Sequence, residues 1–124
     1  MMDWKKPTVQ LLGRWQPWHD GHTALFKRAI SKTGQVIIQV RDMPISEDNP
    51  YGYLEVTNRI ISALSKEGYH YAKDYSIIKV PNVTDITYGR DVGYTITKEH
   101  FNKEIEDISA TKIRAKMREE GKIK

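Results

Sequence analysis

The chain has 124 residues, no cysteine, and a formal net charge of +4 from 20 basic and 16 acidic side chains. This length suits one domain over residues 1–124, and the lack of cysteine excludes disulfides, thiolate catalysis and cysteine-ligated metal sites. No apolar run exceeds three residues, which excludes a membrane-spanning helix. Residues 1–7 lack the apolar core of a secretion signal, so we expect a cytoplasmic protein.

The first two thirds of the chain alternate between strand and helix patterns. Residues 8–12 predict a short strand that ends at a glycine, and residues 22–31 carry apolar side chains at helical spacing. A run rich in β-branched residues predicts a buried parallel strand at 36–40. A second helix is predicted at 53–66, and a third strand at 76–80.

The last third is less regular. Short strands are predicted near 85–88 and 94–97, and a last helix is predicted to begin near Ser109. Strands separated by helices predict an α/β fold, a Rossmann-like parallel sheet with helices on both faces. In such a sheet, ligands bind at the carboxyl ends of the strands, where the strand order reverses.

The loop after the first predicted strand carries a dense motif, Gly13-Arg14-Trp15-Gln16-Pro17-Trp18-His19-Asp20-Gly21-His22. A glycine at the strand end allows close approach of a ligand, and the following helix would direct free amide groups towards an anion. The two histidines are three residues apart and can face the same point, and Arg14 can supply a fixed positive charge.

Two other interpretations of the histidine pair compete with a phosphate site. The pair could ligate zinc, but such a site needs further donors, and His70 and His100 do not form a second ligand pair. The histidines could instead cap the helix. Their position between a buried strand and an amphipathic helix favours the phosphate site. We expect no metal ion that is held by protein ligands alone.

The positive charge is concentrated at the carboxyl end. Residues 111–124 hold six basic and two acidic side chains, which accounts for the whole net charge of +4. A local basic patch suits a phosphate-rich small ligand or a nucleic-acid backbone, and it also fits a solvated helix face. Ser109 and Thr111 lie at the predicted helix start, where hydroxyl and amide groups are available to an anion, and Arg114 can reach back over the same end.

Together, these motifs resemble those of the nucleotidyltransferase superfamily, whose members share the HIGH-type fold. The first loop is similar to Gly-Arg-Phe-Gln-Pro-x-His-x-Gly-His, and residues 108–114 are similar to Ile-Ser-x-Thr-x-Ile-Arg. The nearest branch is the archaeal-type nicotinamide mononucleotide adenylyltransferases. Asn49-Pro50-Tyr51 also resembles the loop ahead of the second helix in that branch.

The resemblance implies nucleotidyl transfer from a nucleoside triphosphate, ATP by preference, to the phosphate of a small acceptor such as nicotinamide mononucleotide. It implies that His19 and His22 contact the triphosphate, with Mg²⁺ bridging the phosphates. Ser109, Thr111 and Arg114 would then hold the leaving pyrophosphate. The remaining residues implied in nucleotide binding are Gly13, Arg14, Trp15, Gln16 and Gly21.

The sequence departs from the branch on the acceptor side. The branch has a Gly-Glu-Arg run at the start of the second helix, and alignment places Val56 on its arginine, which leaves Arg59 as a substitute. Residues 88–94 leave no room for the branch's additional helix. Weaker candidates for acceptor binding are Arg41, Asp42, Trp18 and Arg90.

Alternative functions stay open at this stage. A cytidylyltransferase acting on glycerol phosphate or phosphocholine would share the motifs, and short patterns do not identify the base. A nucleic-acid-binding module would use the basic carboxyl end, although that region lacks interleaved aromatic residues. We expect small-molecule substrates, no nucleic acid and no membrane partner, and leave a homo-oligomer open.

Overall fold

A computed structural model describes residues 1–90 and 93–124, and shows a parallel sheet flanked by helices. The strands are β1 (Val9–Gly13), β2 (Val36–Arg41) and β3 (Tyr75–Val80), in the order β1-β2-β3. The register aligns Val9 with Val36, and Val36 with Tyr75. The α/β fold class predicted from the sequence is confirmed.

Four helices complete the described part of the chain. Helix α1 (Asp20–Thr33) connects β1 to β2, and α2 (Tyr53–Lys66) connects β2 to β3. The short α3 (Lys103–Glu106) precedes α4 (Ala110–Glu119). Both crossovers step in the same direction across the sheet, so right-handed connections place α1 and α2 on the same face.

Side-chain burial identifies this face. The fully buried strand residues alternate along the chain and contact the apolar sides of α1 and α2, as expected for period-two strands under amphipathic helices. The residues of the opposite face are half-buried or exposed, as at Gln10, Ile37 and Gln39. The main core contains Leu11, Phe26, Ala29, Val36, Ile38, Val40, Val56, Ile60, Leu64, Tyr75 and Ile77.

Local signals define the helix ends. Gly34 has a φ of 82° and ends α1 in the left-handed conformation, which a glycine adopts without steric cost. Ser109 caps α4, since its Oγ accepts a hydrogen bond from the Lys112 N–H at 3.4 Å. Asn102 caps the short α3 in the same way, and the sequence pattern did not predict that helix.

Two predictions about the last third are wrong. Residues 85–88 and 94–97 form no strand, and the described residues contain one three-stranded sheet whose order does not reverse. The alternating apolar side chains Ile86, Tyr88, Tyr94 and Ile96 are each about half exposed or more. A segment with a strand pattern is hardly stabilised as a strand when it has no core to pack against and no neighbouring strand to bond with. Residues 91 and 92, within the predicted short connection at 88–94, lie outside the described residues.

Tyr75 offers a test of the core. Its side chain is fully buried against Phe26, and its hydroxyl has no hydrogen-bond partner among the described residues. A buried hydroxyl without a partner costs about 1–3 kcal/mol. We therefore expect Tyr75→Phe to leave the free energy of unfolding unchanged or to raise it by up to about 1 kcal/mol, measured by urea denaturation.

The matched control is Tyr71→Phe. Tyr71 is exposed and touches the Tyr75 ring, so we expect a change within about 0.5 kcal/mol. A loss of more than about 1 kcal/mol in Tyr75→Phe would show that the hydroxyl has a stabilising partner.

Candidate active site

The loop between β1 and α1 folds back onto the core. Trp15 has a φ of 53°, a left-handed conformation that is uncommon for a residue other than glycine. Its indole is buried, and its N–H donates to the Gln39 carbonyl at 3.0 Å. A Cβ on Gly13 would lie 2.9 Å from this indole. The glycine at the strand end therefore makes room for Trp15. Close approach of a ligand to Gly13 stays a prediction.

The two histidines cap α1 with their side chains. His19 is the N-cap residue, and its Nδ1 accepts hydrogen bonds from the Gly21 and His22 amides at 3.0 and 3.4 Å. The His22 Nδ1 accepts from the His19 amide at 3.2 Å. The pair forms a reciprocal capping box in which both Nδ1 atoms are acceptors.

This arrangement defines the proton positions on both rings. A neutral imidazole that accepts at Nδ1 carries its proton on Nε2. Burial lowers the pKa of His19, an effect that the Asp20 carboxylate opposes. Burial, followed by the neighbouring His19, lowers the pKa of His22 to about 3. Both histidines are therefore neutral at pH 7, and each has an Nε2–H donor that no helix-capping bond uses.

His22 is held between aromatic rings. It stacks on His19 with ring centroids 3.6 Å apart, and its ring meets Trp15 edge-on at 4.8 Å. Trp18 lies 5.4 Å away, and its indole N–H donates to the Thr23 hydroxyl at 2.9 Å. Trp15 and Trp18 are both buried, so they fix the orientation of His22 and do not present an open stacking surface.

Gly21 is required by the packing of His19. A Cβ at this position would lie 2.8 Å from Cε1 of the His19 ring. The same Cβ would lie 3.6 Å from the Ile105 carbonyl oxygen, which shows that α3 approaches the start of α1.

Arg114 joins the two motifs. It is 3% exposed, and its Nη1 donates to the Gln16 carbonyl at 2.7 Å, across 98 positions of sequence. Its Nη2 donates to the Thr111 hydroxyl at 3.3 Å and lies 3.5 Å from the Asp48 carboxylate. This residue therefore brings the two motifs into contact. The Arg114 side chain is more buried than that of an arginine that only binds a phosphate at the surface.

Gln16 and Arg14 tie the first loop to the loop before α2. The Gln16 amide donates to the Tyr51 carbonyl at 2.9 Å and accepts from the Tyr51 N–H at 3.0 Å. Arg14 donates to the Asn49 side chain at 3.4 Å. The structural roles of Asp48, Asn49 and Tyr51 were missed in the sequence, where Asn49-Pro50-Tyr51 was noted only as a resemblance.

A cleft of about 210 Å³ opens at the carboxyl end of β2. The predicted residues Gln16, Arg41 and Asp42 line it. Tyr51, Tyr53, Met43 and Ile45 supply aromatic and apolar walls. Neither histidine lines this cleft, so the candidate site has two parts. We call His19 and His22 at the start of α1 the histidine seat, and the cleft beside Arg41 the side cleft. Gln16 belongs to the first motif and also lines the side cleft.

The remaining predicted residues are less central. Arg90 is exposed in a stretch without regular structure. Val56 is buried in the core and cannot act as a cation. Arg59 pairs with Glu55 at 2.9 Å, and its guanidinium lies over the Tyr51 ring at 4.4 Å, beside the cleft.

Neither a metal cage nor a membrane span is found in the described residues. Within 1–90 and 93–124, no group of three or more His, Asp or Glu side chains could hold a metal ion. No helix in these ranges is long and apolar enough to cross a bilayer.

Comparison with known proteins gives one curated relative. Nicotinamide-nucleotide adenylyltransferase from Methanococcus aeolicus is 28% identical over 114 residues, covering 83% of this chain. The chain spans 66% of that relative's length. No family profile matches the chain.

Among solved structures, a bifunctional NMN adenylyltransferase/ADP ribose pyrophosphatase from Francisella tularensis, complexed with AMP and a manganese ion, superposes with a TM-score of 0.49. The sequence identity is 21%, over 61% of this chain and 23% of that one. The similarity to archaeal nicotinamide mononucleotide adenylyltransferases that the two motifs predicted is confirmed by the Methanococcus relative.

Proposed function

We propose that this chain transfers AMP from ATP to the phosphate of a small acceptor, nicotinamide mononucleotide, and releases pyrophosphate. The observation that carries this proposal is the neutral His19–His22 pair at the start of α1, with two Nε2–H donors beside a helix N-terminus. The similarity to the Methanococcus adenylyltransferase supports the same reaction.

The reaction needs positioning more than acid–base chemistry. An oxygen of the acceptor phosphate forms a bond to the α-phosphorus of ATP, and the bond from that phosphorus to the bridging α–β oxygen breaks. The acceptor is already an anion near neutral pH, so no general base is required. Catalysis then depends on alignment and on stabilising the charge that develops at the α-phosphoryl group.

The first motif suits the α-phosphate. We assign His22 to the crowded α-phosphoryl oxygens and His19 to the neighbouring phosphate, each through its Nε2–H. A neutral donor held by two rings and a backbone amide needs no reorganisation during the reaction. The positive end of the α1 dipole adds to the same field.

The second motif suits the leaving pyrophosphate. The Ser109 and Thr111 hydroxyls accept bonds from the Lys112 amide and from Arg114, which leaves their own protons available to phosphate oxygens. Arg114 supplies positive charge and also holds the two motifs together through Gln16. Trp15, Gly13 and Gly21 support the seat and do not contact the nucleotide.

Magnesium would be bound mainly by the phosphates. A divalent cation neutralises charge on a triphosphate, and Mg²⁺ commonly keeps several waters and few protein ligands. Such binding does not require a cluster of three metal-ligating side chains, and none is found among residues 1–90 and 93–124. A cytoplasmic location and the lack of a nucleic-acid partner stay predictions, and a homo-oligomer stays open.

A substrate matrix tests the reaction. ATP, CTP, GTP and UTP are each combined with nicotinamide mononucleotide, glycerol phosphate or phosphocholine, and pyrophosphate release is measured. We expect turnover with ATP and nicotinamide mononucleotide. His22→Ala should lower kcat by at least about 10²-fold, the usual loss for a donor to a developing oxyanion.

The control is His70→Ala, at an exposed histidine outside both motifs, which should retain wild-type turnover. Turnover with CTP alone would replace the proposal with the cytidylyltransferase alternative. Full activity of His22→Ala would refute the role given to that residue.

The pH dependence tests the neutral state of His22. Because burial lowers its pKa to about 3, His22 stays neutral in the folded protein while the unfolded chain takes up a proton below about pH 6.5. The folded state therefore loses stability relative to the unfolded state as the pH falls from about 6.5 towards 3.

We expect the ¹⁵N spectrum of His22 to show the Nε2–H tautomer unchanged from pH 8 to pH 5. His22→Gln identifies the resonances. The difference in unfolding free energy between wild type and His22→Gln should shrink with falling pH. A His22 titration midpoint near 6.5 would contradict the assignment.

Gly21→Ala tests the packing of His19. The added methyl group would lie 2.8 Å from the His19 ring, so the ring must move and its Nε2–H must leave the phosphate position. We expect kcat to fall by about tenfold or more, since small misplacements of aligned groups are costly. The control is Gly89→Ala, where an added Cβ meets nothing within 4 Å. Equal activity of both variants would show that the His19 ring position is not critical.

A further inference from the structure

Arg41 stands between two clefts at the carboxyl end of β2. It lines the cleft of about 210 Å³ described above and a second cleft of about 320 Å³, next to Leu12 and Asp85. Val40, the preceding residue, pairs with Gly13 of β1. Arg41 therefore lies beside the junction of β1 and the histidine loop.

Asn82 holds the Arg41 guanidinium. Its Oδ1 accepts a hydrogen bond from Arg41 Nη2 at 2.7 Å. Asn82 lies two positions after the end of β3, and the Asp42 N–H donates to the Val80 carbonyl at 2.8 Å, which ties the two strand ends together. Both partners are thus anchored to adjacent strands.

The contact leaves hydrogen-bonding capacity on Arg41. Its Nε is buried and has no partner among the described residues. A buried donor without a partner is unfavourable, and a ligand that supplies an acceptor there would relieve the cost. An asparagine oxygen takes up one N–H without adding negative charge, so the guanidinium keeps its full positive charge.

We propose that Asn82 is a positioning residue that orients Arg41 to bind the phosphomonoester group of the acceptor. The inference rests on the proposed nucleotidyl transfer. A guanidinium binds phosphate through two parallel N–H groups, which requires a fixed orientation. The aromatic walls Tyr51 and Tyr53 of the adjoining cleft can take a flat ring of the same acceptor.

The nearby charges fit this assignment. Asp42 and Asp85 are both exposed, so water screens their carboxylates. Arg114, which serves the second motif, already contacts Gln16, Thr111 and Asp48. Among the described residues that line the side cleft, Arg41 is the cation, and its Nε has no partner. Arg59, beside the cleft, is paired with Glu55.

The test compares Asn82→Asp with Asn82→Ala. The aspartate keeps the shape and the contact with Arg41 but pairs with its charge, and the alanine removes the contact. We expect both variants to raise KM for nicotinamide mononucleotide by about tenfold or more, because charge-assisted phosphate bonds depend on both charge and orientation. We expect kcat at saturating acceptor and KM for ATP to stay within about twofold of wild type, because Asn82 acts on the acceptor alone.

Asn58→Ala, at an exposed asparagine of α2, is the matched control and should leave both KM values unchanged. Calorimetric titration with nicotinamide mononucleotide and with its dephosphorylated riboside provides a readout without turnover. Asn82→Asp should weaken binding of the phosphorylated compound and leave the riboside unaffected. Thermal unfolding verifies that the isosteric Asn82→Asp variant folds.

Wild-type KM for nicotinamide mononucleotide in Asn82→Asp would overturn the inference, as would an equal rise in KM for ATP. A riboside affinity that falls with that of the phosphorylated compound would also overturn it. The wild type could bind nicotinamide mononucleotide more tightly than Asn82→Asp does and yet release no pyrophosphate with any triphosphate. The proposed function would then fail, and the positioning role of Asn82 would stand.

Discussion

The site depends on one buried contact, the hydrogen bond from Arg114 to the carbonyl of Gln16. Burying a guanidinium is costly unless its donors are satisfied, and here Gln16, Thr111 and Asp48 satisfy it. Because Gln16 is itself paired with the backbone of Tyr51, the same contact joins the first loop, the loop before α2 and α4. The contact therefore helps to fix the hydroxyls at the start of α4 relative to the first loop.

The histidine pair combines helix capping with two N–H donors in the same rings. A serine or aspartate at the N-cap would satisfy the same amides. An imidazole does so through Nδ1 and keeps a second nitrogen, with a proton, on the far side of the ring. The caps therefore determine the tautomer, and burial against Trp15 and Trp18 keeps His22 neutral. The contacts that cap α1 therefore also fix the positions of the two Nε2–H donors.

Sequence patterns predicted the features that depend on near neighbours. The bounds of α2 agree with the predicted 53–66, and Ser109 lies at the predicted start of the last helix. The strands near 85–88 and 94–97 failed because pairing depends on a distant partner that a local alternation does not reveal. The burial of Trp15 and Trp18 and the pairing of Gln16 with Tyr51 also depend on contacts distant in sequence. The motifs predicted where the candidate site lies. They did not predict which of their residues are buried and which face the solvent.

The two parts of the candidate site are built differently. The histidine seat uses backbone amides, a helix end and interlocked rings, so few substitutions preserve it. The side cleft uses side chains from loop residues, Arg41 held by Asn82 and Arg59 over Tyr51. Such contacts can be replaced one at a time without disturbing the core. Val56, which alignment placed on an arginine of the resembled branch, is buried in the core. The cations near the cleft are Arg41 from β2 and Arg59 from the second turn of α2. In the proposed reaction, nucleotidyl transfer and acceptor binding therefore depend on separate sets of contacts.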